Sequence, residues 1–139
     1  MNGYLIDTDW VIDYLHGVPR VVSQLQALAE EGLAVSIVTA AELYEGVYAS
    51  DRVESHLRGL RQFLNFVQVI GLDDAICQKF GQQRCRLRQR GQLIDNFDLL
   101  IAATCLTYRL ILITGNVRHY TRILELRVAP FASSSSHST

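Results

Sequence analysis

Asp7, Glu42, Asp98 and Asn116 are the residues whose types and places in the chain could do chemistry. In open parallel sheets, sites form outside the carboxyl ends of the strands, where loops lead into helices. Asp7 follows the first strand-like run, Glu42 the second and Asn116 a late one. Asp98 opens a helix with no clear strand before it, so its convergence with the others is inferred. Three carboxylates and an amide brought to one cleft would repel unless a cation sat between them. Magnesium suits such a set, being hard, oxygen-seeking and slow to give up its water, with manganese as a substitute. One or two such ions could activate a water and neutralise a phosphoryl group undergoing in-line displacement.

Each residue also has a plainer local reading. Asp7 suits the cap of a helix beginning near Asp9. Glu42 closes a capping box with Thr39. Asp98 lies three residues after a candidate cap, Asp95, where an acid complements the helix dipole. It also opens the most apolar helix in the chain, where an unpartnered carboxylate is expensive to bury. Asn116, in Thr114-Gly115-Asn116, suits a turn.

The elements that must position these residues follow from the apolar pattern. Tyr4-Leu5-Ile6 reads as a strand, and Trp10 to Leu15 as a short helix stopped by Gly17 and Pro19. Val21, Val22, Leu25, Leu28 and Ala29 recur at helical spacing up to Gly32. Leu33 to Val38 is β-branched-rich and predicts a buried strand, with a helix from Thr39 onward. Val53, Leu57, Leu60, Leu64 and Val67 form a helical stripe, and Val67 to Ile70 predicts a strand. A helix capped by Asp73 and Asp74 carries Ile76, Phe80 and Leu87 and ends at Gly91. Phe97 to about Tyr108 predicts a buried helix, Leu110 to Ile113 a strand, and Leu126 to Phe131 a last strand. Alternating strands and helices imply an α/β fold with a mainly parallel sheet covered on both faces.

The chain has 139 residues, one domain's length, and 49% of them are apolar, which excludes a disordered protein. Thirteen basic and fourteen acidic residues give a net charge of −1. A protein gripping nucleic acid through bulk charge would be far more basic, so any such contact must be local. Lys79 is the only lysine among those cations. The Arg bias mildly favours phosphate or carboxylate partners. Cys77, Cys85 and Cys105 are odd in number and lack metal or disulfide spacing. No leader pattern opens the chain and no apolar run approaches ~18 residues. The expectation is a soluble, cytoplasmic protein without membrane contact. Residues 1–132 form the expected domain, and 133–139 an expected disordered Ser-rich tail.

Four segments together resemble a PIN domain, and within that superfamily the VapC toxins. Tyr4-Leu5-Ile6-Asp7-Thr8-Asp9 is similar to the family's opening strand and first acid. Val38-Thr39-Ala40-Ala41-Glu42-Leu43 resembles the second motif. Phe97-Asp98-Leu99-Leu100-Ile101-Ala102-Ala103-Thr104 resembles the third and is the most specific stretch. Leu112-Ile113-Thr114-Gly115-Asn116-Val117-Arg118-His119-Tyr120 resembles the fourth. The match keeps family order from residue 4 to about residue 131. It implies a three-layer α/β/α sandwich and a metal-dependent endoribonuclease, with Asp7, Glu42 and Asp98 as the catalytic acids. Asp7 and Asp98 would be the main magnesium ligands, joined by Glu42 directly or through a water, and Asn116 is a further candidate ligand. Thr8, Asp9, Asp95, Thr114 and Arg118 are candidates for support or substrate contact. The resemblance further implies a homodimer and a VapB-like antitoxin forming a toxin–antitoxin hetero-oligomer. DNA would be touched only through the antitoxin. The chain departs from many relatives at two points: Asp9 stands where Asn is frequent, and Asn116 where many PIN domains carry Asp.

Further residues admit two readings. Arg84, Arg86, Arg88 and Arg90 crowd one helix end, either as a solvated end suited to the dipole or as a phosphate-contacting rim. Arg118 and His119 follow Asn116 closely enough to touch substrate. Tyr44, Tyr48, Phe63 and Phe66 read as core or interface. Asp7-Thr8-Asp9-Trp10-Val11 also resembles the opening of haloacid-dehalogenase-type phosphatases, where the first Asp is a nucleophile. That chemistry needs a Lys ahead of a later acidic pair, and Lys79 follows Asp73-Asp74 instead. A non-catalytic PIN-like binding module is the other alternative, opposed by the retention of Asp7, Glu42 and Asp98.

Overall fold

Four short parallel strands carry the fold: β1 (Tyr4–Ile6), β2 (Leu33–Ser36), β3 (Gln68–Ile70) and β4 (Ile111–Ile113), in the order β3-β2-β1-β4. The computed structural model describes residues 3–130. The Ser-rich tail expected at 133–139, and Phe131 of the expected last strand, lie outside the described residues.

Side chains alternate across a strand, so each strand feeds two cores. Leu5, Ala34 and Leu112 face one helical layer; Ile6, Leu33, Val35 and Ile113 face the other. The second face is covered by α1 (Thr8–Leu15), α2 (Pro19–Leu28) and α4 (Val53–Phe66), through Trp10, Val11, Leu25, Leu60 and Phe63. The first is covered by α5 (Asp74–Gln89) and α6 (Asn96–Tyr108), through Leu87, Leu99, Ile101, Ala102 and Cys105. Between them in sequence, α3 (Ile37–Tyr48) gives Val38 to one core and Leu43 and Val47 to the other. The result is the expected three-layer α/β/α sandwich. Helix α6 is buried on most sides, and its Thr104 and Thr107 hydroxyls donate to the carbonyls of Leu100 (2.9 Å) and Ala103 (2.8 Å). Those bonds satisfy hydroxyls inside an otherwise apolar helix.

Several boundaries shift by a residue or two, and two differences change the reading of an element. Helix α3 begins at Ile37, not at Thr39, because the Ser36 hydroxyl accepts from the Val38 amide at 3.0 Å and caps the helix there. The expected Thr39–Glu42 capping box is therefore absent, and both residues lie within the helix. The last strand expected from Leu126 reduces to one parallel bridge, Leu112 with Val128. Leu112 donates to the Arg127 carbonyl at 2.9 Å and accepts from the Ala129 amide at 2.8 Å. A single turn of helix, α7 (Val117–Tyr120), follows β4 where only a turn was expected. Gly17 and Gly91 end α1 and α5 as expected, with φ of 73° and 64°, a region glycine enters without strain. Among the described residues, no helix is long and apolar enough to cross a membrane.

Candidate active site

Asp7 leaves β1 and caps α1, its Oδ1 accepting from the Thr8 amide at 2.8 Å. The Asp7 amide donates to the Ile113 carbonyl at 2.8 Å, tying the end of β1 to the end of β4. That tie brings up the two residues that hold the other oxygen. Oδ2 accepts from the Thr114 hydroxyl at 2.8 Å and from the Tyr120 hydroxyl at 3.1 Å. Asp7 is 6% exposed. Burial raises its pKa even though three donors pull the other way.

Asp9 serves the neighbouring turn. Its Oδ1 accepts from the Trp10 amide and its Oδ2 from the Gly115 amide at 2.9 Å, so it anchors Thr114-Gly115-Asn116 beside α1. The Thr114 hydroxyl accepts from the Asn116 amide at 2.9 Å, which fixes the turn from within. Glu42 reaches the same place from α3. Its Oε1 accepts from the Thr8 hydroxyl at 2.7 Å, and that hydroxyl lies 3.1 Å from the Thr39 hydroxyl. Burial, helped by the charges of Asp7 and Asp95, raises the Glu42 pKa against the lowering pull of the Thr8 bond.

Asp98 comes from the first turn of α6. The Asp95 Oδ2 caps that turn, accepting from the Phe97 and Asp98 amides at 3.0 and 3.3 Å. Asp98 is half-buried, and desolvation followed by the charge of Asp7 pushes its pKa up to about 6. The His119 Nε2 stands 3.6 Å from the Asp98 Oδ2. The other ring nitrogen, Nδ1, lies 2.9 Å from the Asn116 Nδ2.

These side chains meet in one cleft of about 460 Å³, lined by Asp7, Thr8, Asp9, Ile12, Glu42, Asp98, Gly115 and Asn116. The four expected site residues are thus brought together, with Thr8 and Asp9 beside them. Thr114 and Asp95 stand behind the lining, one acting through Asp7 and the other through the α6 cap. Arg118 does not line the cleft; its carbonyl accepts from the Thr121 hydroxyl at 2.8 Å. Arg84 and Arg86 are also outside the lining: Arg84 donates to Asn96 at 3.0 Å, and Arg86 pairs with Glu125 at 3.2 Å. Tyr120 and the clasp made by His119 escaped the sequence reading. Tyr120 stands one helical turn beyond Asn116, a spacing informative only once α7 is known to be helical.

The donor set is oxygen-rich and crowded with negative charge, which suits a hard divalent cation. Among the described residues, no three His, Cys, Asp or Glu side chains close into a ready-made metal cluster. Carboxylates that raise one another's pKa do not close up unaided. An ion that keeps several of its waters does not require them to. Asp7 and Asp98 fit the role of principal ligands, with Glu42 and Asn116 at the margin.

The PIN domain model matches residues 4–123. Ribonuclease VapC1 of Haemophilus influenzae is 31% identical over 126 residues, spanning 89% of this chain and 94% of that protein. The tRNA(fMet)-specific endonuclease VapC of Shigella flexneri is 29% identical over 127 residues, spanning 91% and 96%. Among solved structures, VapBC2 from Rickettsia felis bound to a promoter DNA fragment superposes with a TM-score of 0.86 at 29% identity, covering 93% of this chain and 98% of that one. VapBC-1 from nontypeable Haemophilus influenzae superposes with a TM-score of 0.83 at 30% identity, covering 93% and 97%.

Proposed function

The chain belongs to the PIN-domain family, and on that premise we propose that it is an endoribonuclease toxin of the VapC type, neutralised by a VapB-like antitoxin. The observation that carries this reading is the gathering of Asp7, Asp9, Glu42 and Asp98 at one cleft. The near end-to-end match to proteins named as VapC ribonucleases supports it.

Asp7 and Asp98 would hold magnesium, for which manganese would substitute, with Asn116 at the margin of the set and Glu42 beside it. When bound, the ion supplies Lewis acidity, making the attacking water more acidic and offsetting charge on the phosphoryl group. The chain's own groups prepare the cleft. Thr8, Thr114 and Tyr120 hold the Asp7 carboxylate in one orientation despite its burial. Glu42, its pKa raised, takes up the proton of the attacking water at Oε2, the oxygen Thr8 leaves free. The water oxygen bonds to phosphorus as the bond from phosphorus to the 3′ oxygen breaks, and the departing oxygen takes a proton from solvent, leaving a 5′-phosphate and a 3′-hydroxyl.

A largely apolar cavity of about 460 Å³ adjoins the cleft, sharing Ile12 and Glu42 with it and lined further by Leu15, Leu43 and Val47. An antitoxin arm with apolar side chains seats there and extends an Arg or Lys to the acids. The toxin acts in the cytoplasm as a homodimer, within a hetero-oligomer whose DNA contacts belong to the antitoxin.

The test is incubation of the purified chain with RNA in magnesium, with and without EDTA, followed by end-group analysis. The expected result is cleavage that EDTA stops and that magnesium or manganese restores, with 5′-phosphorylated products. Cleavage indifferent to EDTA, or products ending in 2′,3′-cyclic phosphate, would contradict the reading.

A further inference from the structure

An asparagine ligates a cation only through its carbonyl oxygen; its NH2 group is a donor and repels positive charge. Asn116 is exposed, so the way its amide faces needs a cause. The backbone around it is already fixed, by Asp9 holding the Gly115 amide and by Thr114 holding the Asn116 amide. What remains free is the rotation of the side chain.

His119 restricts that rotation. Its Nδ1 is 2.9 Å from the Asn116 Nδ2. An amide NH2 can only donate, so Nδ1 is the acceptor of this contact. The chain of contacts has a direction: Nε2 faces the Asp98 carboxylate, at 3.6 Å, and Nδ1 faces the NH2 end of Asn116. The Asn116 Oδ1 accepts no hydrogen bond from the described residues and is left for the cleft.

We infer that His119 is a positioning residue that turns Asn116 so that its carbonyl oxygen, not its NH2, is offered to a divalent cation. The inference rests on the metal-dependent reading proposed above. It also gives the departure at position 116 a physical consequence, since an aspartate there would present an oxygen either way.

The test is manganese binding by isothermal titration calorimetry, on the purified chain and on His119→Ala, Asn116→Asp and the double variant. Loss of His119 should weaken manganese binding roughly tenfold in the parent and under about twofold in the Asn116→Asp background, a non-additive pair. His119→Phe, which keeps a ring beside Tyr120, should behave as the alanine variant does. Equal weakening in both backgrounds would overturn the inference, because His119 would then act through Asp98 or the fold. No weakening in the parent would overturn it as well. A parent chain that takes up no manganese would instead remove the metal-dependent reading itself.

Discussion

Asp7 and Asp73 perform the same local task in different surroundings. Each caps a helix, accepting a backbone amide through Oδ1 at 2.8 Å, and each takes a tyrosine hydroxyl on Oδ2, from Tyr120 and Tyr108 respectively. Yet their acidities move in opposite directions. The Asp73 carboxyl lies in solvent, and the Tyr108 and Ile76 hydrogen bonds hold it below the ordinary carboxylate range. Asp7 is buried, and desolvation outweighs its donors and raises it. Nearby, Asp7 in turn raises Glu42 and Asp98. Residue type and hydrogen-bond count do not distinguish a reactive carboxylate from a structural one here. Burial does, together with the like charge that Asp7 exerts on Glu42 and Asp98, and it sets Asp7 with the groups proposed for chemistry.

The contrast can be pressed hardest at the crowded end. Asp98→Asn should abolish measurable RNA cleavage while leaving the circular dichroism spectrum intact; a folded variant with unchanged turnover would remove Asp98 from the mechanism. Next in size is the paired loss of the two tyrosine hydroxyls. Tyr120→Phe should weaken manganese binding on the order of tenfold and cost about 2 kcal/mol of stability, as for a hydrogen bond to a charged acceptor. Tyr108→Phe should leave manganese affinity unchanged. Equal effects in calorimetry and urea unfolding would erase the distinction between the two caps.

A smaller effect concerns pH. Asp98, raised from 3.8 to about 6, keeps its proton in the folded chain after the unfolded chain has released it. Stability from that proton is present below about pH 4 and is lost as pH rises through about 6. Asp7 and Glu42 shift in the same sense. Metal-free Asp98→Asn should therefore melt a few degrees above the parent at pH 7, about 1 kcal/mol once solvent screening of a half-buried group is discounted. A lower melting temperature at pH 7 would count against charge crowding. Smallest of all, Asp73→Asn should lower the melting temperature slightly and leave turnover within about twofold, as a solvent-exposed substitution away from the cleft would.

The sheet and most helices were legible because their apolar residues repeat with the correct period. Leu5 and Ile6 face different cores, and Leu60 and Phe63 fall on one stripe of α4. The site was partly legible: Asp7, Asp98 and Asn116 stand where strands and helices expose their ends, and Glu42 lies in the second turn of the helix that follows β2. The α3 boundary was not, because Ser36 supplies the capping hydroxyl inside an apolar run that also suits a strand. Thr39 consequently took the wrong role, although its real neighbour is Thr8, 31 residues earlier in the chain. Tyr120 was hidden for a related reason. Its contact with Asp7 spans 113 residues and depends on a single turn of helix too short to leave a periodic signal.

The central claim is that Asp7 and Asp98 share one divalent ion, and a crystal soaked in manganese reads it directly by anomalous scattering. The expected result is a peak in the cleft in contact with carboxylate oxygens of both residues. Carboxylates pointing to separate places, with no peak between them, would contradict it.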